Sequence, residues 1–190
     1  MMIDFTLGHL IEQTRKKNAN PGGGALVSLI ANLGINLLFM MDKKKYEDPD
    51  LEKEAVKIRA KLLKISKRLE EVMQEDIDRV NSLIDAYKSG QSKKVIEEKT
   101  LAAIGPPRET IDLSFEAMDL AGFILKNGKM DTISDGEIGI RLIKEAVFSS
   151  IINIEINQKQ IDYDFDKDTI VEKCEKLFEK NLEIIKGRNK

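Results

Sequence analysis

NPGGGALVSLIANLGINLLFMM, residues 20–41, decides the fold. One proline and three consecutive glycines give way to an almost wholly apolar run. Asn20 can cap a helix, Pro21 suits the first helical turn, and Gly22, Gly23 and Gly24 let backbone approach something else closely. The run is too apolar for a surface helix, so it is expected to be the buried central helix of an all-α domain. Ser28, Asn32 and Asn36 are spaced by four and share one stripe of that helix. A buried helix with an amide stripe and a glycine-rich N-terminus, where free N–H groups collect, can form one wall of a binding pocket. Two plainer roles stand beside that one. The glycines can be only a tight turn, and the stripe can pair with neighbouring helices or with a second copy of itself.

Other classes fall away. No Gly-Lys-Ser/Thr follows the glycines, which excludes a Walker loop, and the strand that precedes a dinucleotide fingerprint is missing. The apolar run falls short of the ~18–20 uninterrupted residues of a membrane span and contains two asparagines, so no span is expected. The 190 residues suit one domain over positions 1–190 with a substantial core. A formal net charge of −2 gives no global attraction for nucleic acid. Aromatics at 5% and the absence of tryptophan suit packing by Leu, Ile and Ala in helices. Cys174 has no partner for an intramolecular disulfide, and with a single histidine neither a His-based triad nor a structural zinc site is expected. The N-terminus lacks a basic segment followed by an apolar signal core, so the protein is expected in the cytoplasm.

Along the chain, Phe5, Leu7, Leu10, Ile11 and Thr14 give a short amphipathic helix ending in the basic run Arg15-Lys16-Lys17. Lys43-Lys44-Lys45-Tyr46 is either a solvated loop or a grip for an anionic tail, with Tyr46 supplying a flat surface and a hydroxyl. Pro49 to about Tyr87 reads as one long helix whose seam runs Leu51, Ala55, Ile58, Leu62, Ile65, Leu69 and Val72. Extending that seam puts Asp76 and Arg79 at buried positions; a slipped seam through Met73, Ile77, Val80, Ile84 and Tyr87 puts Asp76 at its edge. Asp76 is then either an ion-pair partner of a neighbour such as Arg79 or a pocket acid whose pKa burial perturbs.

Gly105-Pro106-Pro107 is expected to break or sharply kink the next helix, and Asn127-Gly128 to close it in left-handed geometry. Ser134-Asp135-Gly136-Glu137 reads as a capping box with Ser134 at the N-cap, heading a helix to about Gln160. Asp135 is then a first-turn carboxylate, free to serve a substrate. Asn153 and Asn157 form a second amide pair, four apart.

Taken in order, several stretches resemble the cyclodeaminase/cyclohydrolase family of folate enzymes. They are Pro21-Gly22-Gly23-Gly24, Gly34, Lys43 to Asp48, Glu75-Asp76, the proline at 106 or 107, Ser134-Asp135, and Asn153 to Asn157. That family includes the C-terminal domain of formiminotransferase-cyclodeaminase and stand-alone bacterial methenyltetrahydrofolate cyclohydrolases. The resemblance implies an all-helical fold, a homodimer, and a tetrahydrofolate pocket near the glycine-rich loop. It implies Asp76 and Asp135 as catalytic carboxylates, with Pro21, Gly22, Gly23, Gly24, Lys44, Tyr46, Ser134, Asn153 and Asn157 on the substrate. No metal and no cofactor beyond the tetrahydrofolate substrate are implied. The family often carries Ser or Thr after the triple glycine, where this chain has Ala25. A helical module that binds folate without turnover, or that only binds a partner, is the alternative.

Overall fold

The computed structural model describes residues 1–16, 20–159 and 161–188. A single 3-10 turn at Met2–Asp4 precedes six helices: α1 (Leu7–Thr14), α2 (Gly23–Met41), α3 (Pro49–Lys88), α4 (Lys93–Asn127), α5 (Ile133–Gln158) and α6 (Lys167–Arg188). There is no strand among the described residues. Two of the expectations touch residues outside these ranges, the Lys17 end of the basic run and the Gln160 end of α5.

Helix α2 is the hub. It packs on α5, α3 and α4, and Ala31, Ile35, Leu38 and Met41 are wholly buried. By length and composition α2 could cross a membrane, yet half of it is buried inside the bundle. Its contact with α5 is made by two glycines. A Cβ on Gly34 would lie 2.7 Å from Gly139 O, and one on Gly139 would lie 2.7 Å from Gly34 O. The two backbones therefore touch, which only glycine permits.

The polar stripe of α2 serves its neighbours. Ser28 Oγ lies 2.8 Å from Thr110 Oγ1 of α4. Asn32 donates to Ser66 O and accepts from Ser66 Oγ at 2.6 Å, while Asn36 donates to Asn32 Oδ1. For the buried Ser28, Asn32, Ser66 and Thr110 these bonds satisfy groups whose burial would otherwise cost about 1–3 kcal/mol each.

Helix α3 begins at Pro49, with Asp48 accepting from the N–H groups of Asp50 and Leu51. Its seam largely keeps its register, although Met73 is buried beside it and Arg79 is only half-buried. Ala55, Ile58, Leu62, Ile65, Leu69 and Val72 are buried, and burial continues through Asp76, Leu83 and Ala86, whereas Ile84 and Tyr87 are exposed. Gly90, at φ 63°, turns the chain into α4.

Four local expectations need correction. First, α2 is capped by Gly22 rather than Asn20, and Pro21 lies before the helix. Second, α4 runs unbroken through Pro106 and Pro107. Proline at 106 removes the N–H that Ala102 O would accept, and Arg79 Nη1 replaces it at 3.2 Å. Gly105 leaves space for that guanidinium, since a Cβ there would sit 2.5 Å from Arg79 Nη1. Third, Gly128 is extended (φ −66°, ψ −175°), not left-handed. Glycine is needed because a Cβ would meet Ile124 O at 2.6 Å and Met41 O at 2.7 Å. Fourth, the N-cap of α5 is Thr132, without a side-chain cap bond, and Ser134 lies inside the first turn. Glu137 faces Arg141 at 2.6 Å instead of closing a capping box.

Candidate functional site

The glycine-rich entry of α2, the middle of α3, the proline pair of α4 and the last turns of α5 meet around a cleft of about 250 Å³. Gly22, Gly23 and Gly24 form one side, Asp76 and Asn81 a second, Ala103 and Pro107 a third, and Asn153 and Asn157 the fourth. A larger hollow of about 900 Å³ lies over α4 between α3 and α6, but it holds neither the glycines nor Asp76.

Asp76 is the one buried carboxylate of this cleft, 6% exposed. Burial raises its pKa from an ordinary 3.8 to about 6, and the backbone N–H of Ala25 works against that rise. Gly24 makes the approach possible, because a Cβ there would lie 2.6 Å from Asp76 Cγ. The triple glycine thus lets the start of α2 close onto a carboxylate of α3, and the amide groups of its first turn complement that negative charge. Arg79 does not neutralise Asp76; it pairs with Glu75 at 2.7 Å. Asp76 is left with a pKa of about 6 in a cleft, which suits a group that must both take and return a proton.

Amides surround it. Asn157 Nδ2 donates to Asn153 O at 3.0 Å, which fixes the last turn of α5 at the rim. Asn20 lines the same cleft as Asn81. Among the described residues no group of three His, Cys, Asp or Glu side chains is placed to hold a metal ion.

The other sequence-selected residues lie elsewhere in the chain. Pro21 is buried just before the cleft. Lys44 is exposed, in the loop beyond the far end of α2. Tyr46, expected as an open flat surface, is 4% exposed. Its hydroxyl donates to Asp42 Oδ1 at 2.8 Å, and its ring meets Phe123 edge-on. Arg59 donates to Asp42 and Glu52, and Glu52 accepts from Tyr46 N at 2.8 Å, so the group is a closed network. Burial, with the Asp42 carboxylate, pushes the tyrosine hydroxyl well above its usual range. Ser134 and Asp135 stand at the first turn of α5. Eighteen residues of helix separate Asp135 from Asn153, roughly 27 Å at 1.5 Å per residue. Asp76 and Asp135 of one chain therefore do not share this cleft.

The model of the family described as formiminotransferase-cyclodeaminase matches residues 6–176. The chain belongs to that family. Methenyltetrahydrofolate cyclohydrolase of Methylorubrum extorquens is 25% identical to it, across 74% of this chain and 67% of that protein. The crystal structure of formiminotetrahydrofolate cyclodeaminase from Thermotoga maritima superposes with a TM-score of 0.86 at 19% identity, covering all of both chains. That likeness establishes the fold as the all-helical fold of a cyclodeaminase.

Within the formiminotransferase-cyclodeaminase fold, Ala25 does not face the cleft. Its side chain is fully buried against Met2 and Met73, and its N–H serves Asp76. Sequence reading missed Asn81 and Ala103. Asn81 lies five residues after Asp76 and one turn after Ile77, on the face of α3 that lines the cleft, so helical spacing from Asp76 finds it. Ala103 carries no sequence signal except its place four residues before Pro107.

Proposed function

We propose that this protein is a folate-dependent one-carbon enzyme acting on the carbon bound to N5, or bridging N5 and N10, of tetrahydrofolate. The observation that carries the proposal is Asp76, a buried carboxylate with a pKa near 6 facing a cleft, at the glycine entry of a formiminotransferase-cyclodeaminase fold. As a formiminotetrahydrofolate cyclodeaminase it would work as follows. N10 attacks the protonated formimino carbon, and its proton passes to Asp76. Asp76 returns that proton to the former formimino nitrogen. The carbon–nitrogen bond to that group breaks, ammonia leaves, and the methenyl ring is closed. Holding the attacking nitrogen against the carbon supplies most of the acceleration, and the buried carboxylate steadies the cationic amidine. No metal or additional cofactor enters.

The cyclohydrolase reaction is the second reading, favoured by the Methylorubrum relative. Water attacks the methenyl carbon, Asp76 takes its proton, and the ring opens to a formyl folate. The carboxylate does the same work in both.

Lys44, Ser134 and Asp135 enter through a homodimer. Leu26, Leu29, Leu33, Leu37 and Met40 share one face of α2, and Leu33 and Met40 are 49% and 53% exposed. Pairing two such faces antiparallel would set the Lys44, Ser134 and Asp135 end of one cytoplasmic protomer beside the Gly24 and Asp76 end of its partner. Asp135 is then the second carboxylate, and Lys44 the grip for the glutamate tail.

The test is ultraviolet absorbance of the protein mixed separately with formiminotetrahydrofolate and methenyltetrahydrofolate. Formation of the methenyl chromophore from the first marks a cyclodeaminase, and accelerated loss from the second a cyclohydrolase. Binding without a change in either rate refutes catalysis and leaves a folate-binding module.

A further inference from the structure

Two hollows lie side by side on α3 and share a wall. The cleft that holds Asp76 measures about 250 Å³. A second hollow of about 350 Å³ adjoins it, and Asn20, Ile77 and Asn81 line both. At about 100° per residue, Asp76, Ile77, Asn81, Gln74 and Asp78 succeed one another around a little more than half of the helix. The cleft takes the first part of that arc and the second hollow the rest. Ligand pockets usually measure about 300–1,000 Å³, so the cleft alone is small and the two together are of the right size.

The second hollow holds one braced carboxylate. Gln74 Nε2 donates to Asp78 Oδ1 at 2.9 Å, and Gln74 Oε1 accepts from Met2 N at 3.0 Å, so both ends of this amide are held. The Met1 ammonium pairs with Asp4 at 2.8 Å, and Asp78 makes no ion pair among the described residues. Asp78 is exposed, and its two oxygens can accept further bonds. Phe5, 39% exposed, and Ile77 offer apolar surface to a flat ring beside it.

We propose that the second hollow is the pteridine subsite of the folate substrate, with Asp78 accepting from the 2-amino group and N3–H of the ring. Those two donors are neighbours on the pyrimidine edge, remote from N5, and one carboxylate takes both. The pteridine then lies across the stripe of Ile77 and Asn81, which leaves N5 and its one-carbon unit in the cleft at Asp76. The inference rests on the folate reading above and names what orients that substrate.

Asp78→Asn turns one acceptor oxygen into a donor on an exposed side chain, where the fold has little to lose. KM for the folate turned over should rise at least about tenfold, the size of one hydrogen bond to a charged group. The loss should fall on KM rather than on kcat. Isothermal titration calorimetry with two fragments locates it. Kd for tetrahydropterin should rise by a similar factor, whereas Kd for p-aminobenzoylglutamate should not change. A tetrahydropterin with methyl in place of the 2-amino group should bind the native protein more weakly and lose little further in Asp78→Asn. Asp85→Asn, on the same helix but lining neither hollow, should alter none of these values. Equal weakening of both fragments by Asp78→Asn would mark a packing defect, and weakening of p-aminobenzoylglutamate alone a reversed substrate. Either result overturns the proposal. If the native protein turns over a folate and Asp78→Asn changes neither KM nor tetrahydropterin affinity, this inference fails and the folate reading stands. If the native protein turns over neither folate, the catalytic reading fails. Tetrahydropterin affinity that still depends on Asp78 would then keep the subsite, and its absence removes both.

Discussion

Replacing Asp76 by asparagine should make the protein more stable while it stops turnover. Asp76 has a pKa of about 6 in the fold against an ordinary 3.8, with burial as the main cause. Above about pH 6 the folded protein therefore holds a carboxylate that would be better solvated unfolded. The shift is about 2 units, and at about 1.4 kcal/mol per unit the penalty reaches ~3 kcal/mol. Below the unfolded value both states carry the proton and the penalty is absent. Between the two values the folded state binds more proton than the unfolded state, so stability falls as pH rises. Asparagine has no charge to bury and keeps an oxygen for the Ala25 N–H. Asp76→Asn should then raise Tm by about 6–12 °C at about pH 7.5 for a chain of this size. The gain should shrink to nothing at about pH 3, below the ordinary 3.8 of the unfolded chain. Differential scanning calorimetry of both proteins at the two pH values measures it. An equal Tm difference at both pH values, or a lower Tm for the variant at about pH 7.5, refutes the idea that an unfavourably buried charge sits at this position.

Other perturbations follow from the same geometry. Gly24→Ala forces a Cβ against the Asp76 carboxylate, so we expect a loss of about 1–3 kcal/mol in denaturant unfolding together with a large fall in kcat. Tyr46→Phe removes only the bond to Asp42; it should cost about 1 kcal/mol and leave folate KM unchanged, and a raised KM would return Tyr46 to the substrate. Arg59→Met leaves Asp42 buried without its cation and should cost more, about 3 kcal/mol. Leu33→Lys on the apolar face of α2 should yield monomers in analytical ultracentrifugation and inactivate the enzyme, whereas an active monomer would show that one protomer suffices.

Much of this was legible in the sequence, for reasons that differ by residue. The buried α2 and the forty-residue α3 follow from patterns repeated over many turns, which local effects do not overturn. Asp76 stands out because it interrupts an apolar seam. Capping rules misplace the helix boundaries near Asn20, Ser134 and Gly128 because they are local, while these positions are set by contacts between distant helices. Gly128 answers to Met41 O and Ile124 O rather than to its own φ. The continuity of α4 depends on Arg79, a residue of another helix that replaces the donor Pro106 lacks. The buried role of Tyr46 is not legible in the sequence, because its partners Asp42, Glu52 and Arg59 are separated in the chain and meet only in the fold. The separation of Asp135 from Asp76 is likewise a matter of which end of α5 each residue meets.

The most direct test of the central claim is single-turnover kinetics with saturating formiminotetrahydrofolate and methenyltetrahydrofolate, for the native protein and Asp76→Asn, across about pH 5–8. The account predicts that the native rate on one of these folates rises with pH and levels off above about 6, as Asp76 loses its proton. It predicts a rate at least about a hundredfold lower in Asp76→Asn, without that dependence on pH, while folate still binds. A variant that turns over within about threefold of the native protein, with the same acid limb, would contradict it and remove Asp76 from the chemistry.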